Sequence, residues 1–245
     1  MTTTELKNEF NIHYNSIASM NAPAIDDYEL SVYFTKAQEE IIKNYYDSFS
    51  NRKQRGFENS EKRRTDLKEL VKEYSTNTQL TTLLGLVNDS KFFKIPDDVF
   101  LIVYESVEAT IGNCLTTKRL EVIPKTHDEF NTQYENPFKK PNKTKVWRLD
   151  ISKIGTDKVV ELITSYTIDE YKIRYIKYPK PIIISDLSTS FPGEGLSIDG
   201  LSAPQTSELN ESIHREILDR AIQLALRDYK PANLESKVQL DQRNE

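Results

Sequence analysis

An α+β fold, with N-terminal helices and a C-terminal helix packed together and a mainly antiparallel β-region between them, follows from three observations on this 245-residue chain. Apolar residues recur every three or four positions in three N-terminal stretches and again from Asn210 to Pro231, the period of a helix with one buried face. Between Val99 and Tyr178 they alternate or run continuously in short stretches, as strands do. Connections between those stretches, such as Ile154-Gly155-Thr156, are too short for a parallel crossover, which needs about a dozen residues.

The first helix is predicted over 4–20, with Leu6, Phe10, Tyr14 and Ile17 on one face and His13 at its border. Asn21-Ala22-Pro23 interrupts it. Asp26 and Glu29 then form a capping box, in which each side chain accepts a backbone N–H that the helix start leaves unpaired. The second helix is expected over 27–49 on the stripe Leu30, Phe34, Ala37, Ile41, Tyr45 and Phe49, and the third over 60–75 with Leu67, Leu70, Val71 and Tyr74 inward. Strands are expected at 99–104, 119–124, 145–151, 157–164 and 170–178, and a short capped helix opens at Thr126 and Glu129 and ends before Pro137. Residues 185–207 are rich in Ser, Gly and Pro and read as a long contact loop. The resulting division is a helical region 1–92, a β-region 93–184, the loop 185–207, a closing helix 208–231 that packs on the N-terminal helices, and a flexible tail 232–245.

The formal net charge of −5 lacks the global basic signature of a duplex-coating protein. No apolar run approaches the roughly 20 residues that cross a bilayer. The start MTTTELKNEF carries neither the basic nor the apolar segment of a signal peptide. The single cysteine, Cys114, excludes an internal disulfide and fits a reducing site of synthesis.

The strongest chemical pattern is Glu211-x-x-His214, followed by Glu216 and Asp219, because a Glu and a His three apart on a helix form half of a bundle-core di-metal set. Such a set needs a second copy. The other histidines, His13 and His127, do not supply one, so a metal-dependent enzyme is the weakest of three functional readings. No Gly-x-Ser-x-Gly elbow and no His-Glu-x-x-His motif is present, Gly193-Glu194-Gly195 lacks the context of a phosphate loop, and Asp26-Asp27 and Asp97-Asp98 suit caps and turns. The expectation is therefore no catalytic residue, no cofactor and no bound metal. A second reading is a sequence-independent nucleic-acid binder using Arg52, Lys53, Arg55, Lys62, Arg63 and Arg64. The leading reading is a protein of extended subunit contacts, with Phe191, Leu196 and Ile198 in the loop and Leu234, Val238 and Leu240 in the tail as the partner-contact residues.

The segments "LSVYFTKAQEEIIKNYY", "GFENSEKRRTDLKELV", "HDEFNTQYENPFKKPN" followed by Trp147-Arg148-Leu149, "YKIRYIKYPKPIII" and "LNESIHREILDRAIQLAL", in that order, resemble the head-to-tail connector (neck ring) proteins of crAss-like tailed phages. The resemblance spans about 28–230, and the arrangement of elements is also similar to the tail tubular adaptors of short-tailed phages. It implies a virion structural protein forming a twelve-fold homo-oligomeric ring. That ring docks beneath the portal protein, stacks on neighbouring neck or tail rings, and lets packaged DNA pass through its lumen without specific binding. It implies no membrane contact and no catalytic residue.

Overall fold

The computed structural model describes residues 1–18, 24–46, 58, 60–81, 83–111, 116–154, 157–190 and 195–229. The chain divides into two compact units, one made of Met1–Leu70 with Pro179–Glu245 and the other of Val71–Tyr178.

The first unit is helical. It contains α1 (Thr3–Ala18), α2 (Asp27–Tyr46), α3 (Glu61–Leu67, extended by a 3-10 turn to Leu70), a four-residue α5 (Leu187–Ser190) and α6 (His214–Tyr229). The stripes predicted from spacing are the buried ones: Leu6, Phe10 and Tyr14 on α1, Leu30, Phe34, Ala37 and Ile41 on α2, and Ile217, Ala221, Leu224 and Ala225 on α6. Burying each large side chain contributes roughly 1.5–3 kcal/mol relative to leaving it in water. The ring of Phe10 stacks on Tyr14 and meets Phe34 edge-on. Both α1 and α2 open with the reciprocal caps their sequences encode. Thr2 and Glu5 exchange backbone-to-side-chain bonds, as do Asp26 and Glu29. Polar contacts along α2 and α6 run in opposite directions, from Tyr33 to Asp228, from Glu40 to Arg220 and from Tyr45 to Glu216, so the two helices are antiparallel.

One buried stripe of α2 is polar. Ser31, Thr35 and Gln38 lie one helical turn apart and are buried, and an extended segment of the returning chain runs beside them. Ile184 N–H donates to Ser31 Oγ at 3.0 Å, Ile182 N–H donates to Thr35 Oγ1 at 3.1 Å, and Gln38 Nε2 donates to the carbonyl of Lys180 at 2.9 Å. A chain running against a helix finds no ladder partner in its backbone, so side chains supply the donors and acceptors.

The second unit is an eight-stranded sheet in the order β1-β8-β4-β5-β6-β7-β3-β2. Its strands are β1 (Val71–Thr76), β2 (Gln79–Leu80), β3 (Ser90–Ile95), β4 (Val99–Ile111), β5 (Thr116–Lys125), β6 (Lys145–Ile154), β7 (Asp157–Ile163) and β8 (Thr167–Lys177). All pairs are antiparallel except β5 with β6. The helix α4 (His127–Gln133) lies between those two strands, and it supplies the long crossover that a parallel pair requires. The sheet rolls on itself until β1 comes back within contact distance of β3. Phe93, Val107, Leu120, Val146, Leu162, Tyr171 and Ile173 fill its inside. On the outside, α4 lays Phe130 over Trp147, Leu149 and Ile163.

Two expectations are corrected. The third helix ends at Leu67, and Val71 and Tyr74 belong to β1, opposite Ile176 and Ile173 of β8. The last five residues of the predicted helix, Val71 to Ser75, were captured by the neighbouring strand, whose ladder bonds outweigh a weak local preference. The helical region therefore does not extend to residue 92, since three strands precede it or begin before it. The loop 185–207 is also not without structure: it holds α5, a bridge between Ile183 and Gln205, and a second between Ile198 and Leu201.

Candidate subunit interface

The cations at the start of α3 are spent inside the helical unit. Lys62 pairs with Glu216, Arg64 with Glu61, and the Arg63 guanidinium lies 5.1 Å from the centre of the Tyr45 ring. Tyr45 in turn donates to Glu216 at 2.8 Å, and burial together with that carboxylate raises its pKa. Of the six cations proposed for nucleic-acid binding, Lys62 and Arg63 thus hold α3 to α6 and α2, and Arg64 pairs within α3. Arg52, Lys53 and Arg55 lie outside the described residues.

Glu211 and His214 do not converge on a metal. Glu211 opens a 3-10 turn and is exposed, whereas His214 is buried at 4 % exposure. His214 Nε2 stands 3.1 Å from the carbonyl of Leu209 and Nδ1 stands 3.0 Å from the Met1 amine. A neutral ring with its proton on Nε2 satisfies both, donating to the carbonyl and accepting from the amine. Burial, and the positive amine, lower its affinity for a proton. Glu216 is taken by Tyr45 and Lys62. Asp66 is also buried, accepting from Ser212 Oγ at 2.7 Å and tying α3 to the start of the closing helix. Among the described residues no group of three or more His, Cys, Asp or Glu side chains could hold a metal ion. His13 is exposed on α1, His127 is exposed on α4, and Cys114 lies outside the described residues.

Of the six sequence-derived contact residues, Leu196 and Ile198 are half-buried, and Phe191, Leu234, Val238 and Leu240 lie outside the described residues. Ile198 and Leu201 exchange backbone bonds across Asp199-Gly200, whose φ angles are +50° and +78°. That is the two-residue turn that Asp-Gly favours, because both central residues take the left-handed conformation that glycine adopts without strain. The dipeptide was the available signal for this hairpin. It leaves Leu201 39 % exposed. The following stretch is pinned through Ser207, which donates to Gln38 Oε1 at 2.6 Å.

The sheet unit carries apolar surface that spacing did not reveal. Phe138 is 95 % exposed in the connection after α4, and Leu84 and Leu86 are exposed in the connection before β3. Both connections are held in shape. Asn136 Oδ1 accepts from Phe138 N–H, Asn142 Oδ1 accepts from Thr144 N–H, and Leu86 N–H donates to the buried Glu161. At Gly85 a Cβ would fall 2.0 Å from Ser90 Cβ, so only glycine lets the chain pass there and present Leu84 and Leu86. Inside the sheet, Glu105 accepts from both Arg148 and Tyr171. Burial, reinforced by that carboxylate, pushes the Tyr171 hydroxyl well above its ordinary pKa and keeps it a donor.

The described apolar tips are thus fixed by turns, and Lys62, Arg63, Arg64, His214 and Glu216 are engaged within the helical unit. Residues 1–236 match the family model described as phage tail ring protein 3/4, and the chain belongs to that family, whose members are structural ring proteins of crAss-like phages. It is 38% identical over 248 residues to ring protein 4/5 of Bacteroides phage crAss001, covering 100% of both chains. To ring protein 3 of the same phage it is 39% identical over 229 residues, covering 92% of this chain and 95% of that one.

Proposed function

We propose that this chain is a subunit of a head-to-tail connector ring that closes with twelve copies of itself beneath the portal and encloses part of the channel through which DNA leaves the head. The observation that carries this reading is the correspondence with ring proteins of one phage from end to end, at 38% identity over 100% of both chains. A correspondence of that extent includes both units and their connections. In this reading the residues 185–207 and 232–245, with Phe191, Leu196, Ile198, Leu234, Val238 and Leu240, contact the portal or a neighbouring ring. DNA passes through the lumen without specific contacts, and no residue acts as a catalyst.

Electron cryomicroscopy of the virion tests it. The expected result is twelve copies in one layer of the neck or tail stack, with the Asp199-Gly200 hairpin against another subunit. Density for this chain in the capsid shell or the fibres, or a hairpin facing bulk solvent with no protein in contact, overturns the assignment.

A further inference from the structure

We propose that the Leu84, Leu86 and Phe138 surface of the sheet unit seats on the acidic helical unit of a second copy of this chain, so that these two surfaces form the repeating contact of the ring; the proposal rests on the ring reading above.

The two connections that carry these side chains are neighbours. Val87 from one and Tyr134, at the root of the other, pack on the same cluster under α4. Lys140 folds back over the Tyr134 ring at 4.6 Å. Leu84, Leu86 and Phe138 are the centre, and the rim is mainly basic: residues 136–147 include Lys139, Lys140, Lys143 and Lys145 and no carboxylate, with Glu135 and Asp89 near Tyr134. No ion pair within the described residues ties Lys139, Lys143 or Lys145 to a carboxylate. An apolar centre with a charged rim is the anatomy of a protein contact. A DNA backbone would neutralise the lysines but offers nothing to cover Phe138 at 95 % exposure.

Charge selects the occupant. The helical unit, Met1–Leu70 with Pro179–Glu245, holds seventeen Lys and Arg against twenty-three Asp and Glu, whereas Val71–Tyr178 holds sixteen against fifteen. The acidic excess of the chain therefore lies wholly on one unit. Its α1 presents Glu5, Glu9 and Ile12 on one side, and Ile12 is 66 % exposed. An open groove lined by Glu5, Gln205 and Glu211 adjoins the start of that helix. A ring closed by head-to-tail contacts requires two different, complementary surfaces on every subunit, and an apolar tip with lysines matches an apolar residue flanked by carboxylates.

Zero-length carbodiimide coupling on intact virions tests this, because it joins only a lysine and a carboxylate already in contact. The expected product is a band at about twice 28.4 kDa in which Lys139, Lys143 or Lys145 is joined to Glu5, Glu9 or Glu211. If the band forms through other residues only, the inference fails and the ring stands. If the loop lysines couple to a different virion protein, or couple to nothing until DNA has been ejected, the inference fails in favour of that partner. If no dimer band forms at all while other virion proteins couple, the inference fails, and the ring reading is decided separately by the copy number in the virion density.

Discussion

His214 illustrates how a residue type that suggests ligation is consumed by folding. Its ring stays neutral in the native state because burial penalises the charged form and the Met1 amine opposes it. The unfolded ring takes up a proton near its ordinary value of 6.5, while the folded ring does so only at lower pH. The stabilisation is therefore complete above about pH 6.5 and is lost as pH falls through the depressed folded value. Urea unfolding followed from pH 7.5 to pH 5 should show a loss of stability that is smaller in His214→Phe. An equal slope in both proteins refutes this account. Glu105 bears the opposite burden. Arg148 is 9 % exposed and its other carboxylate, Asp150, is largely exposed, so Glu105→Gln removes the buried counter-charge of the guanidinium, a loss of up to about 3–5 kcal/mol. The double variant Glu105→Leu with Arg148→Met should recover only part of that in the same denaturation assay, since the apolar pair needs no solvation but leaves the buried Tyr171 hydroxyl without its acceptor.

At the scale of elements, the polar stripe of α2 decides where the returning chain lies. Thr35→Val keeps the side-chain shape and removes the group that serves both the N–H and the carbonyl of Ile182. A buried backbone group left unpaired costs about 1–3 kcal/mol. The expected signature is a drop of that size in unfolding free energy, with faster amide exchange at Ile182 and Ile184; protection equal to that of the unaltered chain would show that water replaces the hydroxyl. The elements legible beforehand were those with a long stripe or a strong cap. These were α1, α2 and α6 from their spacing, α4 from Thr126 and Glu129, where Thr126 accepts Glu129 N–H as its sequence implies, and β4 to β8 from short stretches of alternating or continuous apolar residues. The strands β1 and β3 were missed for a physical reason. Val71 to Thr76 is half-exposed along one edge and gains its conformation from pairing with β8, and Phe92-Phe93 is a short apolar run buried on both sides, so neither shows the period-two pattern that marks a strand with one wet face.

At the scale of the whole molecule, the helical unit is built from both ends of the sequence, with the sheet unit inserted between them. Removing residues 208–245 takes away α6, which packs on both α1 and α2, and so uncovers part of their buried stripes. Limited proteolysis of that truncated chain should degrade residues 1–70 while leaving a protected fragment that begins near Val71, because the sheet has its own core. Uniform degradation of both would indicate that the sheet does not hold without the helices. The acidic excess and the Leu84, Leu86 and Phe138 surface fall on different units, the two unlike surfaces that the proposed ring contact requires.

The residues alone determined which faces are apolar, where the caps of α2 and α4 lie and that the fold is α+β. These depend on spacing within a few residues, which is visible in one dimension. Only the tertiary structure decided that Val71 pairs with Ile176, that Gln38 joins α2 to both Lys180 and Ser207, and that Leu84, Leu86 and Phe138 remain uncovered. Those outcomes depend on segments dozens to more than a hundred residues apart meeting in space, where the energy of burial and pairing outweighs local preference.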